Sequence, residues 1–417
     1  MYAVFKLVLM NTLFIIIIVI ILFDFVVDKI LDYLNLKTWS SELPKEAEGI
    51  YDVEKYRKSM EYYKVNHRFS MITSSFSLLL LLAVLLFNGF AWLDQYVRSV
   101  TQSPVWMALL FFGILGFASD VLTTPFALYK IFVIEEKFGF NKMTWKTFLF
   151  DKFKGYVLGA IIGGVLLAVI VWIYSVTGTY FWLYALGVLA LFMVFATMFY
   201  ASIILPLFNK LTPMPDGELR NAIEEYCKKV GFKLNNLFVM DGSKRSSKAN
   251  AFFSGLGASK KIVLFDTLIE KHTTDELVAV LAHEIGHYKM KHTRQGLLLG
   301  LLQNGIMLYI LSLFLGNQEL SKALGAEQSS FHLDILAFGI LYSPLSEILG
   351  IMMNMLSRKN EYEADRYAKE TYNGEALAGA LKKLSVDNLS NLKPHPAYVF
   401  VHYSHPTLLQ RLAALGK

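Results

Sequence analysis

The sequence predicts an all-α integral membrane protein with a small α+β module on the cytosolic side, and three observations carry this. The 417 residues are 55% hydrophobic and only 18% charged, with a mean hydropathy of +0.43, more apolar than a soluble chain of this length needs for its core. Seven windows are long and apolar enough to span a bilayer as helices, at residues 7–27, 70–93, 104–129, 155–176, 179–207, 295–316 and 331–356. Between the fifth and sixth windows, from about Asn209 to Lys291, the composition becomes that of a soluble segment, and it holds the run His283-Glu284-Ile285-Gly286-His287.

The first window is a retained anchor rather than a cleaved signal: it carries Asn11 and Asp24, lacks a small-residue cleavage site, and its apolar run continues through Phe25-Val26-Val27. Lys and Arg fall unevenly between the spans. The loop after the first span holds eight of them between Lys29 and Arg68, and the loop after the third holds six between Lys130 and Lys154. Alternate segments hold only Lys6, Arg98 and Lys322. With an odd number of spans, this asymmetry predicts an N-terminus outside and a C-terminus in the cytosol. The net charge of +6 is explained by basic loops at the membrane face and calls for no nucleic acid. The lone Cys227 excludes an internal disulfide and a cysteine-rich metal site. The chain divides into residues 1–207, five spans with two basic cytosolic loops; 208–293, the cytosolic segment with the histidine motif; 294–356, the last two spans; and 357–417, a C-terminal cytosolic segment.

Within the soluble segment, Pro213, Pro215 and Gly217 break the membrane helix, and Gly217–Val230 reads as an amphipathic helix. Leu237–Met240 reads as a strand, while Ala249–Phe253 and Lys261–Phe265, separated by Gly255 and Gly257, suggest a hairpin. Thr273 to His292 reads as one helix, opened by a capping box at Thr273-Thr274-Asp275-Glu276 and closed by Lys289, Lys291 and His292. On that helix His283 and His287 lie one turn apart on one face, and neutral imidazoles so placed can hold one Zn²⁺. Glu284 beside them can take a proton from a metal-activated water. This is the H-E-x-x-H pattern of a zinc peptidase. Two histidines and a glutamate on a buried face without a metal would be costly to desolvate.

A catalytic zinc needs a third protein ligand, and Cys227 lies on a charged helix away from any motif. Glu361 and Asp365, in Glu361-Tyr362-Glu363-Ala364-Asp365, are i and i+4 on one face, with Glu363 pointing elsewhere. That face suits Glu361 as a ligand and Asp365 as the carboxylate that fixes a ligand histidine through its other nitrogen. A solvated acidic helix end is the plain alternative.

These residues resemble the type I CAAX prenyl proteases, the a-factor-converting family of integral-membrane zinc metalloproteases. The resemblance runs through Glu136–Lys142, Ser247–Phe253, Val263–Leu268, the histidine motif, Arg358–Asp365 and Phe400–Arg411. It implies His283, His287 and Glu361 as ligands to one Zn²⁺ per chain, Glu284 as catalytic base, and a seven-helix bundle enclosing a large water-filled chamber faced by a gluzincin-like protease domain. It also places His405 near the metal, as a donor to the developing oxyanion. Arg411 would pair with an acidic residue near the site. Asn250, Ala251 and Phe252 would hold substrate backbone as an added strand.

Asp120 and Glu347, inside spans, would line or brace the chamber. The implied partners are the lipid bilayer and a peptide or protein substrate ending in Cys-a-a-X, isoprenylated at the cysteine and cleaved to release three residues. The chain is short for eukaryotic members, and Ala413–Lys417 carries no di-lysine retrieval signal, which favours a bacterial inner membrane over an endoplasmic reticulum membrane. Two alternatives stand: a quality-control metalloprotease of the HtpX type, acting on unprenylated substrates but with fewer spans, and a transporter with a structural zinc. Structural zinc is normally closed by four protein ligands, and three are found here.

Overall fold

The computed structural model describes residues 12–40, 42–43, 48–233, 236–255 and 260–416. The first helices are α1, Thr12–Lys37; α2, Val53–Leu86; α3, Gly89–Val100; and α4, Pro104–Tyr129, which runs on as π-helix to Glu135. Residues 7–11 of the first expected span lie outside the described residues. The second expected span, 70–93, is displaced: its helix starts at Val53 and stops at Leu86, and Asn88 takes a left-handed conformation (φ 55°) before α3 begins. Averaged hydropathy passes over the turn dipeptide Asn88-Gly89, although Asn tolerates that conformation better than most residues.

Next come α5, Trp145–Leu158; α6, Gly164–Thr177; and α7, Phe181–Phe199, with π-turns at Gly159–Gly163 and Tyr200–Ile204. The helical stretch Trp145–Phe208 breaks at Gly178 (φ 53°), and α6 and α7 pack against each other. In the soluble segment are α8, Glu218–Lys229, and α9, Thr274–Lys289; after it come α10, His292–Phe314, and α11, Phe331–Ala368. The chain closes with α12, Gly374–Asp387; α13, Pro396–His402; and α14, Leu408–Leu415. Among the described residues, five helical stretches are long and apolar enough to cross a membrane, counting Trp145–Phe208 as one.

Among the described residues the sheet has four short strands: β1, Leu211–Pro213; β2, Leu237–Met240; β3, Ala251–Ser254; and β4, Lys261–Phe265. Their order is β1-β2-β4-β3, with β2 and β4 parallel and the outer pairs antiparallel. The expected hairpin is β3–β4, in register Phe252 to Val263, which leaves β3 at the sheet edge with no further strand beside it among the described residues. β1 was not expected, because Pro213 argues against a strand; at a sheet edge, Pro is tolerated.

Under the sheet, Ile223, Ile262, Leu264, Leu277, Leu281, Ile285, Leu377 and Leu412 join α8, α9, α12 and α14 in one buried core. Cys227 is buried in the same core. The Thr273 capping box forms as expected. The helix does not run to His292, however: it ends at Lys289, Lys291 turns left-handed (φ 65°), and His292 opens α10.

Candidate active site

The site is built where α9 crosses α11. A Cβ added to Gly286 would stand 3.1 Å from the Ala364 Cα and 3.2 Å from its carbonyl oxygen, so the glycine inside the motif lets the two backbones meet. The crossing brings Glu361 onto the histidine face. His283 Nε2 and His287 Nε2 stand 3.1 Å apart, and Glu361 Oε2 and Oε1 lie 3.5 and 3.2 Å from them respectively. One ligand atom from each of the three residues falls within 4.8 Å of the other two.

The far side of each imidazole is held. Asp365 Oδ1 lies 2.8 Å from His283 Nδ1, which fixes the proton there and turns the Nε2 lone pair inward. Arg411 donates to both Asp365 oxygens at 2.8 and 2.5 Å and lies 3.5 Å from Glu361, the acidic partner expected of it. His287 Nδ1 lies 3.0 Å from His292 Nδ1, and His292 Nε2 lies 3.1 Å from Glu363 Oε2. This His287–His292–Glu363 relay was missed in the sequence, where His292 read as a helix-end cation and Glu363 as pointing away. A third histidine five residues beyond the motif was the available signal.

The donor set fits a metal. Two ring nitrogens face each other with lone pairs converging on a carboxylate, and Glu361 Oε2 is buried with no hydrogen-bond partner among the described residues. Burial alone would push Glu361 up, yet His283, His287 and Arg411 hold its carboxyl well below the usual range. Asp365 is likewise held down, by His283 and Arg411 against burial. Burial opposes charge on His283, but Asp365 and Glu361 push it up to about 9, so the pocket favours a cation at this point. Glu284 is raised, first by burial and then by the Glu361 charge, with the histidines and Arg411 opposing.

A cavity of about 450 Å³ opens over these groups, and His405, Asn250, Ala251 and Phe252 share its lining with Glu284 and the three-residue cluster. The His405 side chain is 64% exposed, with Nε2 3.3 Å from Glu361 Oε1 and Nδ1 3.0 Å from Ser404 Oγ, which puts it at the mouth. Asn250 Oδ1 accepts the N–H of Ala251 at 2.8 Å, and the Asn250 carbonyl accepts that of Phe265 at 3.1 Å. Asn250 thus faces β4, and by the antiparallel alternation Ala251 and Phe253 turn their backbone outward. Asp120 pairs with Lys152 and Tyr156 and braces α4 against α5; Glu347 is exposed along α11.

Residues 32–210 match the family model described as the CAAX prenyl protease N-terminal, five membrane helices, and residues 213–417 match peptidase family M48. CAAX prenyl protease 1 of Saccharomyces cerevisiae is 35% identical, aligned over 91% of this chain and 89% of its own. The CAAX prenyl protease 1 homologs of Arabidopsis thaliana and Homo sapiens are 34% and 32% identical, over 92% and 90% of this chain and 93% and 89% of theirs. The crystal structure of S. mikatae Ste24p superposes with a TM-score of 0.93 at 33% identity, covering 97% of this chain and 99% of that one.

Proposed function

From the premise that this chain belongs to peptidase family M48, in its CAAX prenyl protease branch, we propose that it is an integral-membrane zinc metalloendopeptidase. Its substrates are C-terminal Cys-a-a-X sequences with an isoprenoid on the cysteine, cleaved to release the last three residues. The observation that carries this is the convergence of His283, His287 and Glu361 beside Glu284 at the floor of a cavity edged by a free strand.

His283, His287 and Glu361 would hold one zinc ion. When bound, the zinc supplies a Lewis acid that acidifies water and polarises the scissile carbonyl. Glu284 accepts the proton of the attacking water and returns it to the leaving amine; its raised carboxyl suits both halves of that transfer. Asp365, steadied by Arg411, keeps His283 in the ligating tautomer, and His292 does the same for His287 through Glu363. His405, at the mouth, donates to the carbonyl oxygen as charge builds there. Ala251 and Phe253 offer outward backbone groups to an extended peptide, and Asn250 and Phe252 border it.

We assign seven spans to the bundle: α1, α2, α4, α6, α7, α10 and the first part of α11, with the Trp145–Phe208 stretch crossing twice. They would enclose a chamber above the site. In the four-part division read from the sequence, the protease is formed by 208–293 and 357–417. Basic loops after the first and third spans support a cytosolic protease, in a bacterial inner membrane or, in a eukaryotic host, an endoplasmic reticulum membrane.

The test is cleavage by the purified full chain of a farnesylated Cys-a-a-X peptide and its unprenylated twin, with the products read by mass spectrometry. Release of the terminal tripeptide from the prenylated peptide only is expected. Equal cleavage of both would replace the CAAX reading with that of a general membrane endopeptidase.

A further inference from the structure

A second cavity, of about 440 Å³, lies beside the first and shares Phe253 with it. Its floor is aromatic: Phe232 and Phe253 pack around Tyr288 at ring separations of 5.3 and 5.6 Å, and Lys260 Nζ sits 3.8 Å over the Tyr288 ring. Lys233, Lys260, Lys289, Lys291 and Arg294 line it, and no Asp or Glu does. Among the described residues none of these five cations has an ion-pair partner; Lys289 donates only to the Val230 carbonyl, at 2.7 Å. Four cations elsewhere around the protease are balanced. Lys248, Arg245, Lys271 and Lys383 each face a carboxylate, Glu135, Asp151, Asp387 and Glu276 respectively. What sets this cavity apart is that five cations without a carboxylate partner among the described residues gather on one aromatic floor.

The direction of β3 says what the cavity meets. A peptide added to the free edge is better held antiparallel, which sends its carboxyl end toward Asn250 and its upstream end past Phe253 to Gly255, at the rim of the second cavity. At about 3.3 Å per residue, the four positions from Ala251 to Gly255 span about 13 Å. We propose that this basic, aromatic-floored cavity binds acidic side chains of the substrate two to four residues before the cleaved cysteine, so that the enzyme selects Cys-a-a-X substrates by upstream negative charge. This rests on the function proposed above for the neighbouring site.

The experiment measures binding to the full chain carrying Glu284→Gln, in nanodiscs of neutral lipid, so that no chemistry is needed for the readout. The probes are three farnesylated peptides that differ only in Asp, Asn or Lys at those upstream positions. The acidic peptide is expected to bind about fivefold more tightly than the Asn peptide, and the Lys peptide more weakly, with the gap closing at high salt. In Lys233→Gln/Lys291→Gln/Arg294→Gln protein the preference should vanish while zinc content stays unchanged. Equal binding of all three peptides to the Glu284→Gln chain overturns the proposal without any variant of the cavity. So does a peptide affinity that ignores peptide charge but falls when phosphatidylserine is added, which would give the cavity to a lipid headgroup. If the wild-type chain cleaves no farnesylated peptide, the CAAX reading fails, and the binding preference still decides the role of the cavity.

Discussion

Helix α11 carries two buried histidine–aspartate clusters, about 45 Å apart along its length, and they differ in what is left over. Near its start His332 Nε2 lies 2.7 Å from Asp94 Oδ1, Ser330 donates to the same oxygen at 2.9 Å, and Arg98 takes the other at 2.7 Å. Asp334 next to it accepts from Ser321, Ser329 and the Gly316 N–H. Every carboxylate oxygen there is engaged. Near the other end His283 and Asp365 pair just as closely, yet the Nε2 atoms of His283 and His287 converge with Glu361 Oε2, which has no hydrogen-bond partner among the described residues. A satisfied buried network ties helices together, whereas one whose acceptors converge on a single point is shaped for a cation. Burial and histidine content alone do not separate the two.

The difference can be broken by substitution. The largest effect is expected from Glu284→Ala, which should lower peptide hydrolysis by about 10²–10⁴-fold while zinc content, read by atomic absorption, stays at the wild-type level. Next, Asp365→Asn should weaken zinc binding by about 10–100-fold in a chelator competition. The matched Asp94→Asn should leave zinc affinity alone and lower thermal stability by about 2 kcal/mol. Zinc loss in Asp94→Asn would erase the distinction between the clusters.

Gly286→Ala places a methyl group against the α11 backbone and should cost about 1–3 kcal/mol, with a parallel fall in zinc affinity because the two ligand-bearing helices are pushed apart. The smallest expected effect is that of Thr273→Ala, which removes the cap of α9 and should lower the unfolding free energy by about 1 kcal/mol without changing zinc content.

The residues that could hold a metal were legible as two local motifs. His283, Glu284 and His287 share one helical turn, Glu361 and Asp365 share another, and the capping box fixes where α9 begins. The joining of those turns was not written in either motif. It depends on Gly286 against Ala364, a contact between segments 78 positions apart by residue number. The His292–Glu363 pair was hidden for a related reason: Lys291 turns left-handed and His292 opens a new helix there. In the membrane region, hydropathy found the apolar helices but misplaced the second, since a window average does not register the Asn88-Gly89 turn. β1 escaped because Pro213 counts against a strand everywhere except at an edge.

Zinc stoichiometry across the two clusters of α11 tests the central claim most directly, measured on purified wild-type, Glu361→Ala and His332→Ala proteins. One zinc per chain is expected in the wild type and in His332→Ala, and none in Glu361→Ala after dialysis. Full zinc in Glu361→Ala, or its loss in His332→Ala, would contradict the assignment of the metal to His283, His287 and Glu361.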